Sequence, residues 1–129
     1  MEIIKEIFTK THHVVLTDDG IVITKRNSVF KGEESLEEAM ENWKHLQNFV
    51  EGKTYPMIHH LSQQGYSLEA RKFYSTVPAL ASCAALVSTT FIQKLLGNFF
   101  LNFKNNKLPM KLFSDEQSAI KWAKTFKND

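Results

Sequence analysis

Cysteine is almost missing from this chain. Cys83 is the only one among 129 residues, so no internal disulfide can form. The opening Met-Glu-Ile-Ile-Lys shows no signal-peptide pattern, and no apolar run approaches the roughly 18 residues that a membrane helix needs. These absences lead us to expect a reduced, cytoplasmic protein that does not insert into a membrane. An excess of one charge is lacking too. The 16 Lys and Arg against 14 Asp and Glu leave a net +2, well short of the basic footprint of a dedicated nucleic-acid binder. The Gly-x-Ser-x-Gly, P-loop and dinucleotide fingerprints are absent. Cys83 lies among alanines, where a small buried thiol is expected rather than an exposed nucleophile. No repeat, low-complexity tract or linker interrupts the chain. A single domain over residues 1–129, with no enzymatic chemistry and no cofactor, is the expectation.

What the chain does have is patterning. Hydrophobic residues make up 43% of it and aromatics 12%, enough for one packed core. Aliphatic and β-branched runs at His13–Thr17 and Ile21–Arg26 flank Asp18, Asp19 and Gly20, which predicts a β-hairpin. Ser35 and Glu38 form a capping box ahead of Leu36, Ala39, Met40, Trp43, Leu46, Phe49 and Val50, whose helical spacing runs to a stop at Gly52. That stripe is expected to lie on a sheet. Thr54–Leu61 reads as a short strand that tolerates Pro56 near its start. Ser67 opens a second helix reaching Val77.

Ala79–Ser88 is apolar on both parities, as a strand buried on both faces would be, with a helix as the rival; the reading is a strand over Ala81–Val87. Phe91, Ile92, Leu95, Leu96, Phe99, Phe100 and Phe103 form a wide aromatic helical stripe. Met110–Phe113 is a last strand, and a capping box over Ser114–Gln117 leads into a helix carrying Ala119, Ile120, Ala123 and Phe126. The alternation predicts an α/β fold: a mixed sheet of about five strands, an N-terminal hairpin followed by β-α repeats, and about four helices. So few helices are expected to leave part of the sheet uncovered, as a homodimer face.

Five stretches carry a resemblance: "DDGIVI", "SLEEAMENW", "YPMIHHLS", "ALVSTTFIQKLLGNFFLNF" and "PMKLFSDEQSAIKW". Over roughly Phe8 to Trp122 the chain resembles the SpoIIAA-like (STAS/Sec14-type) group of small bacterial proteins. The resemblance implies a small α/β fold similar to the anti-sigma-factor antagonists, in which a partner kinase phosphorylates a serine at the start of the helix after a central strand. Ser67, within Gly65-Tyr66-Ser67-Leu68-Glu69, is the corresponding residue. His60 takes the place near the end of the preceding strand where the resembled proteins commonly carry an acidic residue. The Sec14-type relationship implies an alternative, an apolar pocket for a lipid tail beneath the Phe91–Phe103 helix.

The residues themselves frame the same choices. A phosphate on Ser67 would sit at the positive end of a helix dipole, favourable by up to about 1 kcal/mol, although Glu69 opposes it. The plainer role is an N-cap accepting from the N–H of Glu69 or Ala70. His59 and His60 are neighbours on a strand and face opposite ways, as do His12 and His13, so neither pair can chelate one ion and no metal site is expected. His60, Ser62, Gln63, Glu69 and Arg71 surround Ser67 at the carboxyl end of a strand, where open α/β sheets carry function. Phe99, Phe100 and Phe103, interleaved with Lys104, Lys107 and Lys111, are explained first by packing. The expected function is a non-enzymatic, regulatory protein-interaction module that binds an unidentified protein and itself as a homodimer, with no nucleic-acid partner. Binding of a lipid or other hydrophobic ligand is the alternative.

Overall fold

The turn at Asp18, Asp19 and Gly20 folds as its composition requires. Gly20 takes φ 74°, in the left-handed region open to glycine. The strands it joins, β2 (His12–Thr17) and β3 (Val22–Arg26), pair antiparallel with His12 opposite Arg26 and Leu16 opposite Val22. After β3 the chain alternates: α1 (Leu36–Val50), β4 (Tyr55–His60), α2 (Leu68–Thr76), β5 (Ala81–Val87), β6 (Met110–Phe113) and α3 (Glu116–Ala123), closed by a 3-10 turn over Lys124–Phe126. The computed structural model describes residues 2–61, 65–77, 80–88, 90 and 108–126. The expected helix over residues 91–103 lies outside them.

The sheet has six strands rather than five. Ile3–Phe8 forms an additional strand, β1, antiparallel to β2, giving the order β1-β2-β3-β4-β5-β6 with β3 to β6 parallel. Its apolar residues, Ile3, Ile4, Ile7 and Phe8, do not alternate, and the register shifts between Ile3 and Lys5. A bulged edge strand of this kind carries no period-two signal. Ile3, Ile4 and Phe8 remain 55%, 64% and 65% exposed.

Helices lie on both faces of the sheet. α1 sets Phe49 and Val50 on Val14, Leu16 and Val22, while α3 sets Ala119 and Ala123 on the opposite face against Ile23, Ile58, Cys83 and Ala85. Among the described residues there are three α-helices, and none is long and apolar enough to cross a membrane.

The caps explain where the helices begin and end. Ser35 accepts from the N–H of Glu38, and Glu38 reaches back to the N–H of Ser35 at 3.0 Å, the full capping box. The last helix departs from expectation: its N-cap is Asp115, not Ser114, and the Asp115 carboxylate accepts from the N–H of Ser118 at 2.8 Å. A carboxylate outcompetes the neighbouring hydroxyl at the positive end of a helix. At the end of α1, Glu51 rather than Gly52 is the first left-handed residue, with φ 52°. Lys5 on β1 donates to the Phe49 carbonyl at 2.6 Å and to the Glu51 carboxylate at 2.7 Å, neutralising the negative end of the helix.

The buried face of α1 is rotated from the expected stripe. Leu36 and Met40 stay exposed, while Asn42 is buried beside Ala39, Phe49 and Val50.

Candidate functional site

Strand register places the site. Val14 pairs with Thr24, Thr24 with His59, and His59 with Leu86, so these side chains share the sheet face that α1 and α2 cover. Between that face and the two helices lies a cavity of about 590 Å³. Val14, Trp43, Leu46, Met57, Leu80, Ala84, Leu86, Leu108 and Met110 supply much of its wall. Among the described residues no Lys, Arg, Asp or Glu lines it.

One end of the cavity is polar. His12, Thr24, Asn42, His59, Tyr66 and Tyr74 converge there, at the carboxyl ends of β3 and β4. They are brought together by two loops that pair with one another. Glu34, just before α1, bridges Tyr66, just before α2: the Glu34 N–H donates to the Gly65 carbonyl at 3.3 Å, and the Ser67 N–H donates to the Glu34 carbonyl at 2.8 Å.

Two hydrogen-bond chains run through this cluster. In the first, Thr24 Oγ1 lies 2.5 Å from His59 Nδ1, His59 Nε2 lies 2.8 Å from the Tyr66 hydroxyl, and that hydroxyl lies 3.5 Å from His12 Nε2. His12 Nδ1 is in turn 2.8 Å from Thr11 Oγ1. In the second, Thr9 Oγ1 donates to Asn42 Oδ1 at 2.6 Å, Asn42 Nδ2 donates to the Tyr74 hydroxyl at 3.1 Å, and Tyr74 donates to the Glu34 carboxylate. Glu34 brings the two chains close without a hydrogen bond between them: its Oε1, which has no partner among the described residues, stands 3.7 Å from His12 Nδ1.

Behind the cavity wall, Arg26 Nη2 stands 3.8 Å from Glu34 Oε1 and donates to the Gly65 carbonyl at 2.8 Å. Its guanidinium lies 4.9 Å from the centre of the Tyr66 ring.

Burial sets the protonation states. It holds the His12 imidazole well below the usual histidine range, aided by His59 and Arg26, and brings His59 down to about 3, aided by His60 and Arg26. It pushes both phenols, Tyr66 and Tyr74, above their ordinary value, with the Glu34 carboxylate adding to the effect. Glu34 is fully buried and is raised to about 7 by burial, against the pull of the Tyr74 hydroxyl and Arg26. The side chains that line the polar end are therefore hydroxyls, an amide and imidazoles held in their neutral form, while Glu34, behind them, titrates near neutrality. An imidazole with a pKa of about 3 is too weak a base for proton abstraction at that pH. What the arrangement offers is hydrogen bonding at one end of a mainly apolar space.

Of the site residues singled out from the sequence, the described ones, His60, Ser67, Glu69 and Arg71, do not line the cavity. Ser67 caps α2, its hydroxyl accepting from the Ala70 N–H at 3.0 Å. His60 points to the opposite sheet face and pairs with Glu116 at 2.6 Å. Glu69 is exposed and Arg71 half-buried in the first turns of α2. Ser62 and Gln63 lie outside the described residues. Cys83 is sealed in the core, where burial pushes its thiol up to about 11.

His12 and His59, one from each adjacent pair, converge across the sheet with ring centres 5.5 Å apart. Their nitrogens meet Thr11, Thr24 and Tyr66. Among the described residues no group of three or more His, Cys, Asp or Glu is placed to hold a metal ion. Sequence reading missed Glu34, Asn42, Tyr66 and Tyr74. Its one usable signal was the strand rule that sends His59 and His60 to opposite faces.

No curated protein matches the chain in sequence. Among solved structures, it is similar to the crystal structure of a protein with unknown function from Arthrobacter sp. FB24, at 20% identity over 86% of this chain and 97% of that one, with a TM-score of 0.33. A family model described as a domain of unknown function, DUF7793, matches residues 14–127, and the chain belongs to that family.

Proposed function

We propose that the protein is a non-catalytic, cytoplasmic binding module whose cavity takes a small, predominantly apolar ligand. One observation carries this reading: an apolar space of about 590 Å³ with six polar side chains gathered at one end. Ligand pockets fall at about 300–1,000 Å³ and combine apolar walls with a few placed polar groups.

The test is native mass spectrometry of protein purified from cells, together with titration of the uncharged fluorophore N-phenylnaphthylamine. We expect a co-purifying small molecule or saturable fluorophore binding. A protein that carries no small molecule and leaves the fluorophore unbound would sink the reading.

A second reading, the regulatory protein-interaction module, rests on the β1 edge. Ile3, Ile4 and Phe8 are exposed on an antiparallel edge strand, and such an edge pairs readily with a second copy of itself about a two-fold axis. Ser67 would be its regulatory residue by the SpoIIAA-like resemblance. Light scattering decides it: a dimer that Phe8→Lys dissociates supports the edge, and a monomer at all concentrations removes it.

A further inference from the structure

We infer that the cavity's occupant is an uncharged amphiphile, bearing a hydroxyl or amide head rather than a carboxylate, phosphate or ammonium. This rests on the cavity being a ligand site, as proposed above. The polar end, where such a head belongs, holds hydroxyls, one carboxamide and two imidazoles, and no charged side chain reaches the cavity surface among the described residues. The charges nearby lie behind the wall: Arg26 and Glu34 face each other at 3.8 Å, with Arg26 donating to the Gly65 carbonyl and Glu34 accepting from Tyr74, while Arg26 Nε and Glu34 Oε1 have no hydrogen-bond partner among the described residues.

The imidazoles cannot supply a cation without breaking their own contacts. His59 uses both nitrogens, on Thr24 and Tyr66, and a neutral ring offers one donor and one acceptor. Burial favours that neutral form in both His12 and His59. Every hydrogen-bonding side chain described on the wall is a hydroxyl, an amide, an imidazole or an indole. Asn42 donates to Tyr74 and its side chain also meets His12, while at the amino end of β5, away from the polar end, the buried Ser82 hydroxyl has no partner among the described residues. Among the described residues an ionised head placed here would meet uncharged partners only, a poorer exchange for its water shell than a hydroxyl or amide makes.

The experiment is displacement of N-phenylnaphthylamine from the full chain by decane, decanol, decanamide, decanoate and decylammonium at pH 7.5. Decanol and decanamide are expected to compete at least about tenfold better than the two ions. They should also match or exceed decane, which has the greater tendency to leave water but no head group. Asn42→Leu should weaken decanol and decanamide by up to about tenfold, the worth of one hydrogen bond, and leave decane unchanged. Should that variant fail to fold, the wild-type series decides alone. Decanoate or decylammonium binding as tightly as decanol overturns the inference while leaving the cavity a ligand site. Decane outcompeting both neutral amphiphiles overturns it too, since the polar end would then contribute nothing. A protein that binds neither fluorophore nor any chain removes the ligand site itself, and the inference with it.

Discussion

His59 Nε2 and the Tyr66 hydroxyl share a 2.8 Å hydrogen bond at the polar end of the cavity, while Nδ1 of the same ring lies 2.5 Å from Thr24 Oγ1. Burial keeps this imidazole neutral down to about pH 3, against an ordinary value of 6.5. In acid the unfolded chain therefore takes up a proton that the native state refuses. Stability present above pH 6.5 falls as the pH drops toward 3, by about 2 kcal/mol at pH 5 from this residue alone. Urea unfolding at pH 7 and pH 5 should show wild type losing more than His59→Gln. Equal losses would mean that His59 is not the group responsible.

Glu34 works in the other direction. Its native carboxyl holds a proton to about pH 7, while the unfolded chain releases it near 4.5. The stabilisation is complete below 4.5 and is lost as the pH rises through 7, for a total of about 3 kcal/mol. Glu34→Gln keeps an acceptor for Tyr74 and carries no charge. Its melting temperature relative to wild type is expected to rise from pH 5 to pH 8; a constant difference would contradict the raised pKa.

Ala84 lines the cavity between Met57 and Met110, its partners on β4 and β6. Ala84→Phe should fill apolar space rather than overpack a core, leaving the melting temperature unchanged or raised while N-phenylnaphthylamine binding is lost. Destabilisation by the 1–3 kcal/mol typical of overpacking would indicate that the space is not available.

Ser67 separates a cap from a switch. Its hydroxyl accepts from the Ala70 N–H at 3.0 Å, so Ser67→Ala is expected to cost about 1 kcal/mol in denaturant unfolding and Ser67→Asp almost nothing, since aspartate caps as well. If pull-downs with wild type and Ser67→Asp recover different partners while stability is equal, the serine is regulatory.

The order of elements was legible because local chemistry writes it: Ser35 and Glu38 close a capping box, Ser67 caps α2, and the turn at Gly20 makes the hairpin. Where local signals were ambiguous the reading slipped. β1 has no alternation because its residues lie at a bulged edge, and Asp115 displaced Ser114 because two adjacent residues could each cap α3. The function-bearing segment was placed one strand face away from the cavity. Sequence position drew attention to His60 and Ser67, yet it is His59 that faces the polar cluster and His60 that pairs with Glu116 on the far side.

By itself, then, the sequence determined the three described helices, the strands after β1 and the opposite facing of each histidine pair, all consequences of contacts within a few residues. Only the tertiary structure decided the site. Glu34 sits in an acidic run that reads as surface, and Asn42 lies on a helix among charged neighbours. Both are buried because two loops far apart in sequence pair at Glu34 and Tyr66 and close over the ends of β3 and β4. Burial and the pKa shifts that follow from it depend on that long-range pairing, and nothing local in the chain records it.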